Sequence, residues 1–260
     1  MRESEQTPEM DRLTYVGHGT TLLRLGEVSI LTDPFLRNWL GPLHRHGPRP
    51  DPALSRLADL VLISHIHRDH LDVRSLRRLP PTTPVVVPRG ARRWAERGGA
   101  EEIREVDVGE TLSFGSVEVT AVKAVHNGYR DRTWGDSIQP LGYLIEAGGR
   151  TTYFAGDTDL FAEMSELPPL DLALVPVWGW GTSVGEGHLD PERAARAVQL
   201  LRPRLAVPIH WGTFYPLGMR LLRPEHLEQP PQEFARMVRP LAPEVEVRVL
   251  QPGSSTELPD

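Results

Sequence analysis

Short apolar stretches, some alternating with polar residues and some continuous, open the chain between glycine and proline breaks. That pattern predicts strands. Leu13–Val16, Thr20–Leu25 and Val28–Leu31 are separated by Gly17-His18-Gly19 and Gly26-Glu27. Asp59–Ser64 is an apolar run without alternation, as in a strand buried on both faces, and it leads directly into His65-Ile66-His67-Arg68-Asp69-His70. Helices are predicted over Val73–Leu79, over Arg89–Arg97 before Gly98-Gly99, over Pro191–Leu201 with Asp190 as its cap, and over Pro231–Val238. Further strands are predicted at Pro84–Val87, within Ile103–Lys123, at Leu170–Val175, Arg204–Pro208 and Val245–Leu250, with a hairpin of Leu141–Ile145 and Thr151–Phe154 across Gly148-Gly149. Asp33–Pro52, rich in proline and glycine, reads as a long loop carrying Trp39, His44 and His46. Pro252–Asp260 reads as a frayed tail.

Two strand-rich halves with interspersed helices predict two packed sheets with helices outside. No repeat or linker divides the chain, so residues 1–260 are expected to form a single domain with its core at about residues 11–251 and frayed ends. The 260 residues are 39% hydrophobic and 25% charged, enough to bury a real core. A formal net charge of −6 gives no electrostatic footprint for nucleic acid. The absence of cysteine removes disulfides, thiolate metal sites and thiol nucleophiles. No apolar run approaches about 18 residues, and the polar Met1–Asp11 does not resemble a signal peptide. A cytoplasmic protein without a transmembrane segment is expected.

The ten histidines carry the chemistry. The pattern H-x-H-x-D-H at His65, His67, Asp69 and His70 would arise by chance in roughly one chain of this composition in a thousand. A tight turn after a strand lets His65 and His67 share one ion, while Asp69 and His70 point to a second position. Downstream, His126, Asp157 and His210 each stand where a predicted strand ends and a loop begins. Small neighbours in Ala155-Gly156-Asp157-Thr158 would let the Asp157 carboxylate bridge two cations. Metals about 3.5–4 Å apart can clamp both sides of a hydrolytic displacement. Imidazole and carboxylate suit zinc, manganese or iron.

In order and spacing, His65-x-His67-x-Asp69-His70, His126, Gly156-Asp157 and His210 resemble the metal motifs of the metallo-β-lactamase superfamily. More narrowly, Tyr15-Val-Gly-His-Gly-Thr20, Leu31-Thr-Asp-Pro34, Ile63–Asp72, His188-Leu-Asp-Pro-Glu192 and Ile209–Phe214 are similar to the N-acylphosphatidylethanolamine phospholipase D and ascorbate-6-phosphate lactonase branch. The resemblance implies an α/β fold, a four-layer αββα sandwich of two mixed sheets with helices outside. It implies two divalent metal ions, zinc foremost and manganese or iron as alternatives. His65, His67 and His126 would hold the first, and Asp69, His70 and His210 the second, with Asp157 between them. Asp33 would buttress the histidine loop. A bridging hydroxide would cleave a phosphodiester or a lactone or other ester bond, with Asp69 orienting the nucleophile and His188 donating to the leaving group or the oxyanion. The substrate would be a small-molecule or lipid-like ester, and a homo-oligomer is open. The phospholipase has a longer N-terminal region, so its membrane-docking surface and dimer interface do not carry over. The alternative is a metal-binding protein without hydrolytic activity, either an oxidative di-iron member or a ligand sensor. The expected absence of a flavodoxin-like extension speaks against the first of these.

Other residues keep two readings. His188 is a site residue or an ordinary loop residue before the Asp190 cap, and His18 supports the site or pins the Gly17–Gly19 turn. His44 and His46 are solvated or line a substrate entrance, and His226 reads as surface. Tyr129, Trp134, Trp178 and Trp180 wall a pocket or pack in the core, and Arg130 and Arg132 neutralise a substrate phosphate or are merely solvated.

Overall fold

In the computed structural model, which describes residues 11–130, 137–179 and 185–259, two seven-stranded mixed sheets pack face to face. In spatial order the first sheet contains Ser254–Glu257, Arg12–Gly17, Thr20–Leu25, Val28–Thr32, Leu60–Leu62, Val85–Pro88 and Ile103–Val106. Its first three pairings are antiparallel and its last three parallel. The second sheet runs Glu246–Val247, Leu205–Ile209, Leu172–Pro176, Arg150–Phe154, Leu141–Ala147, Val117–Lys123 and Thr111–Phe114, with three parallel pairings followed by three antiparallel ones.

The continuous apolar strands have both faces covered, as their lack of alternation implies. Leu60, Leu62 and Val86 enter the core between the sheets, while Val61, Ile63, Val85 and Val87 face a second core with Leu76, Trp94 and Ala95 from the short helices Val73–Leu76 and Arg92–Arg97. The longer helices Pro191–Leu201 and Glu225–Leu241 pack on the second sheet through residues such as Ala194, Val198, Phe234 and Val238. The Asp190 carboxylate accepts from the Arg193 N–H at 2.8 Å, the expected cap. No helix among the described residues is long and apolar enough to cross a membrane.

Three expectations need correction. The Asp33–Pro52 segment is not all loop: Trp39–Leu40 and Leu43–Arg45 pair with each other, and Leu43–Arg45 pairs with Phe214–Pro216, making a small third sheet. The C-terminal helix begins at Glu225, not Pro231, because Leu227, Pro230, Pro231, Phe234 and Val238 share a buried stripe that continues through the prolines. The C-terminal segment is not frayed at Ser254–Glu257, which pairs antiparallel with Arg12–Tyr15 at the edge of the first sheet. Gly253 donates its N–H to Tyr15 and Leu258 donates its own to Asp11. Backbone pairing holds this polar strand, and hydropathy does not register that.

Deleting residues 252–259 should therefore destabilise the fold. At a net of about 1 kcal/mol per lost backbone hydrogen bond, the loss is about 3–5 kcal/mol. Equilibrium urea unfolding checks this, and an unchanged midpoint would mean that the segment is dispensable.

Candidate metal centre

Loops leaving the strand ends at one edge of the sandwich build the site. Val117–Lys123, Arg150–Phe154 and Leu205–Ile209 run in the same direction in the second sheet. Their C-terminal ends deliver His126, Asp157 and His210. Leu60–Leu62 delivers the His65–His70 loop from the opposite sheet. That loop is a tight turn, in which the His67 carbonyl accepts the N–H groups of His70 and Leu71. Gly156, with φ +60°, brings the Asp157 loop so close to Ser64 that a β-carbon there would lie 2.5 Å from the Ser64 Cβ. Leu141 donates its N–H to the Ser64 carbonyl and Tyr143 its hydroxyl to Ile63, tying the sheets together beneath the site.

Seven residues predicted as ligands converge. His65 Nε2, His67 Nδ1 and His126 Nε2 form one group, with separations of 2.9 Å from His65 to His67 and 3.0 Å from His126 to His67. Asp69, His70 and His210 form another together with His18; His70 Nε2 lies 3.2 Å from His210 Nε2 and 3.6 Å from Asp69 Oδ2. Asp157 stands between the two groups. Its Oδ2 is 3.3 Å from His70 Nε2 and 3.9 Å from His126 Nε2, and its Oδ1 is 3.3 Å from His210 Nε2.

The outer nitrogens of these rings fix which inner nitrogens carry a lone pair. Asp33 accepts from the Ser64 backbone N–H at 2.7 Å and from the Ser64 hydroxyl at 2.5 Å. With its proton on Asp33, the Ser64 oxygen accepts from His65 Nδ1 at 2.9 Å. Asp33 also accepts from His70 Nδ1 at 2.7 Å. His126 Nδ1 donates to the Gly187 carbonyl and His210 Nδ1 to the Trp178 carbonyl, each at 2.6 Å. The neutral rings of His65, His126 and His210 therefore point lone pairs inward. Such outer bonds set the tautomer and orientation of metal-binding imidazoles.

This arrangement fits a cation. Nitrogens sharing one ion at about 2.0–2.1 Å in tetrahedral geometry stand about 3.3 Å apart. The first group is already drawn in to nearly that spacing. The inward lone pairs of His65 and His126 both face His67 Nδ1, which can donate to only one of them, whereas a cation would satisfy all three. The buried Asp157 Oδ1 and His67 Nε2 have no hydrogen-bond partner among the described residues. His210 Nε2 is near Oδ1, but its proton is committed at Nδ1. A buried carboxylate oxygen without a donor is costly, and a cation removes that cost.

The electrostatics follow from burial and three carboxylates. Burial, reinforced by neighbouring histidines, pushes His65 well below the ordinary imidazole value. Burial also lowers His67, His126 (to about 4) and His210, against an opposing pull from the nearby aspartates. His70 behaves differently: burial disfavours its charge, but Asp157, Asp69 and Asp33 more than offset this and raise it well above the ordinary value. Burial alone would raise Asp157 and Asp69. His210 and His70 instead hold Asp157 well below the carboxylate range, and His70 and His18 do the same for Asp69.

The remaining candidates separate clearly. Asp33, predicted as a buttress, serves both groups. His188 lies at the rim, its Nε2 3.8 Å from Asp157 Oδ2 and its ring 4.6 Å from that of His126. Its buried Nδ1 has no hydrogen-bond partner among the described residues. Arg130 is not poised for a substrate phosphate: it donates to the carbonyls of Ile66 and Leu71 and braces the histidine loop from behind. Trp178 is buried and meets Tyr215 at 6.1 Å, while Tyr129 is 37% exposed. His44 lies in the third sheet and His46 just past its Leu43–Arg45 strand, among Trp39 and Tyr215, and they belong to neither candidate group. His226 is half-buried and bonded to the Tyr215 hydroxyl at 2.8 Å. Arg132, Trp134 and Trp180 lie outside the described residues.

Sequence reading missed three supports. Ser64 relays Asp33 to His65, and its place just before His65 was the available signal. Asp159 accepts from the Gly187 N–H at 3.1 Å and pairs with Arg193, steadying the carbonyl that orients His126. The Trp178 carbonyl, which orients His210, is a main-chain atom that no residue type announces.

Residues 29–211 match the family described as Beta-lactamase superfamily domain. A UPF0173 metal-dependent hydrolase from Methanopyrus kandleri is 34% identical over 253 residues, covering 95% of this chain and 99% of the relative. The structure of Igni18, a metallo hydrolase from Ignicoccus hospitalis, is similar with a TM-score of 0.73 at 28% identity, over 95% of this chain and 98% of that one. CmlA, a diiron β-hydroxylase from Streptomyces venezuelae, shares the fold with a TM-score of 0.73 at 23% identity, over 98% of this chain and 55% of that one.

A ligating imidazole must be neutral, and His70 alone of the ligand histidines has its basicity raised. Loading the metal-free protein with Zn²⁺ at pH 7 should therefore release at least about one proton per chain. Calorimetric titration in buffers of different ionisation enthalpy measures it, and an enthalpy independent of the buffer would contradict the charge state of His70.

Proposed function

The chain belongs to the metallo-β-lactamase superfamily and, within it, to the UPF0173 metal-dependent hydrolases, and we propose that it cleaves a phosphodiester or lactone bond at a dinuclear metal centre. The observation that carries this reading is the Asp157 carboxylate. It is buried between two groups of imidazoles, with both oxygens directed at ring nitrogens and one of them lacking a donor. His65, His67 and His126 would hold one ion and Asp69, His70 and His210 the other, with the Asp157 carboxylate between them. The all-nitrogen and oxygen donor set suits zinc foremost, with manganese or iron as alternatives.

Two divalent ions held there would supply Lewis acidity at the scissile group. The chain's own residues do the rest. Asp157 fixes the separation of the two groups. Asp69 accepts a hydrogen bond from the attacking water and sets its direction. His188, at the rim beside His126 and Asp157, donates a proton to the leaving oxygen. Likeness of the Tyr15–Thr20, Leu31–Pro34, Ile63–Asp72, His188–Glu192 and Ile209–Phe214 motifs to the N-acylphosphatidylethanolamine phospholipase D and ascorbate-6-phosphate lactonase branch supports the choice of bond. An open groove of about 680 Å³, lined by residues including Val108, Lys123, Val125 and His126, has room for a small-molecule or lipid-like ester.

The second reading is an oxidative di-iron protein, and it draws on the fold shared with the diiron β-hydroxylase. Elemental analysis after reconstitution should find about two ions per chain. Bis-p-nitrophenyl phosphate or a simple lactone should then be hydrolysed with Zn²⁺ or Mn²⁺. One ion at most, under excess metal, would exclude the dinuclear centre, whereas two tight ions without turnover on any ester would favour the oxidative reading.

His188→Ala should lower kcat by at least about 10²-fold on a diester with a poor leaving group, the usual scale for a general acid. The loss should be smaller with p-nitrophenolate, which leaves unprotonated, and metal content should stay at two. Equal losses on both substrates would make His188 an oxyanion donor, and full activity would return it to an ordinary loop residue.

A further inference from the structure

His18 takes no part in the reading above, and we propose that it is a positioning residue for the second ion. Its ring holds Asp69 and its main chain holds His210, so that the second site is assembled around it. The inference rests on the dinuclear reading.

The contacts are specific. His18 is buried, and its Nε2 lies 2.9 Å from Asp69 Oδ2. A carboxylate at neutral pH only accepts, so Nε2 carries the proton and donates it. That bond fixes the orientation of a side chain that is otherwise partly open to solvent. The His18 carbonyl accepts the N–H of His210 at 2.9 Å. The two rings lie 3.9 Å apart at 40°, and the His70 ring is 5.1 Å away. The His18 N–H donates to Thr213 Oγ1 at 2.7 Å, and Thr213 donates onward to the Trp211 carbonyl. One residue thus touches Asp69 and His210, two of the second ion's three own ligands. His18, Asp69, His70 and His210 make one compact group, while His65, His67 and His126 make another.

Backbone conformation argues that the ring, not the turn, is what the position requires. His18 has φ +59° and His210 φ +63°, both in the left-handed region that a β-carbon disfavours. Gly17 and Gly19 flank it. A turn alone would be better served by a third glycine, so a strained histidine at this point marks a side chain with work of its own.

His18→Gly tests this cleanly, because glycine adopts the left-handed backbone without strain and only the ring is lost. Stepwise calorimetric titration of the metal-free chain with Zn²⁺ should show the first ion bound as in the wild type. The second should be weakened about 10–100-fold, the usual cost of losing an outer-shell partner. Electron paramagnetic resonance of the Mn²⁺-loaded variant should show isolated ions instead of a spin-coupled pair, and the metal-free melting temperature should not fall. His18→Gln, which places an amide N–H near the Nε2 position, should recover part of the second affinity. His18→Asn accepts the same backbone but reaches less far, and should behave like glycine; it serves if His18→Gly folds poorly. Two ions at native affinity in His18→Gly, or both weakened alike, would overturn the role. A wild-type chain that takes up only one ion would overturn the dinuclear reading, and this inference with it.

Discussion

The Asp33 carboxylate accepts three hydrogen bonds at zero solvent exposure, from the Ser64 backbone N–H, the Ser64 hydroxyl and His70 Nδ1. Its own backbone sits at φ +34°, and its N–H donates to the Leu62 carbonyl, so the carboxylate is pinned where the Val28–Thr32 and Leu60–Leu62 strands end. Bonds to a charged acceptor contribute about 1.5–3 kcal/mol each, so three of them hold a strained residue in place. The same carboxylate sets His65 through Ser64 and His70 directly. It thereby governs one ligand in each of the two groups. A single buried charge supplies registration to a histidine loop that its own turn, Arg130 and the His18–Asp69 bond also hold.

Two sheets meeting at one edge make such convergence possible. The first sheet contributes the histidine loop and the second contributes His126, Asp157 and His210, so no ligand group is built from one sheet alone. Cross-links between the sheets lie immediately beneath the site. Leu141 bonds to Ser64 and Tyr143 to Ile63. Tyr15, from the first sheet, donates to the Trp211 carbonyl and accepts the Trp211 N–H just past His210. Left-handed backbone at His18, Asp33, Gly156, Gly187 and His210 lies at this edge, where close approach of loops matters more than local backbone comfort.

Legibility in the sequence followed from chemistry more than from hydropathy. The candidate ligands could be read because imidazoles and carboxylates at strand ends have few other reasons to recur in that spacing, and all seven lie close together in the fold. The two-sheet architecture could be read because continuous apolar strands such as Leu60–Leu62 require cover on both faces. What escaped were features held by main-chain atoms. Ser254–Glu257 is polar and mostly exposed, and its pairing with Arg12–Tyr15 makes it a strand. Trp39–Leu40 and Leu43–Arg45 are too short for a period to show. Arg130 looks on paper like any loop arginine, and its role depends on carbonyls about sixty residues away.

The two ligand groups are alike in number but not in charge, and that asymmetry has chemical consequences. Three imidazoles of depressed basicity, His65 buried and His67 and His126 half-buried, surround the first position, an environment matched to a borderline ion such as zinc. The second position adds the Asp69 carboxylate, and His70 there is the one ring that three aspartates hold in its charged form. More negative, oxygen-richer surroundings favour harder cations and make occupancy compete with protons. Asp157, lying between both groups, would couple the positions, since a charge placed in either one would relieve repulsion among groups that also face the other. The second position is thus the one where pH and metal supply would act, and the first the one that burial keeps ready for an ion at neutral pH.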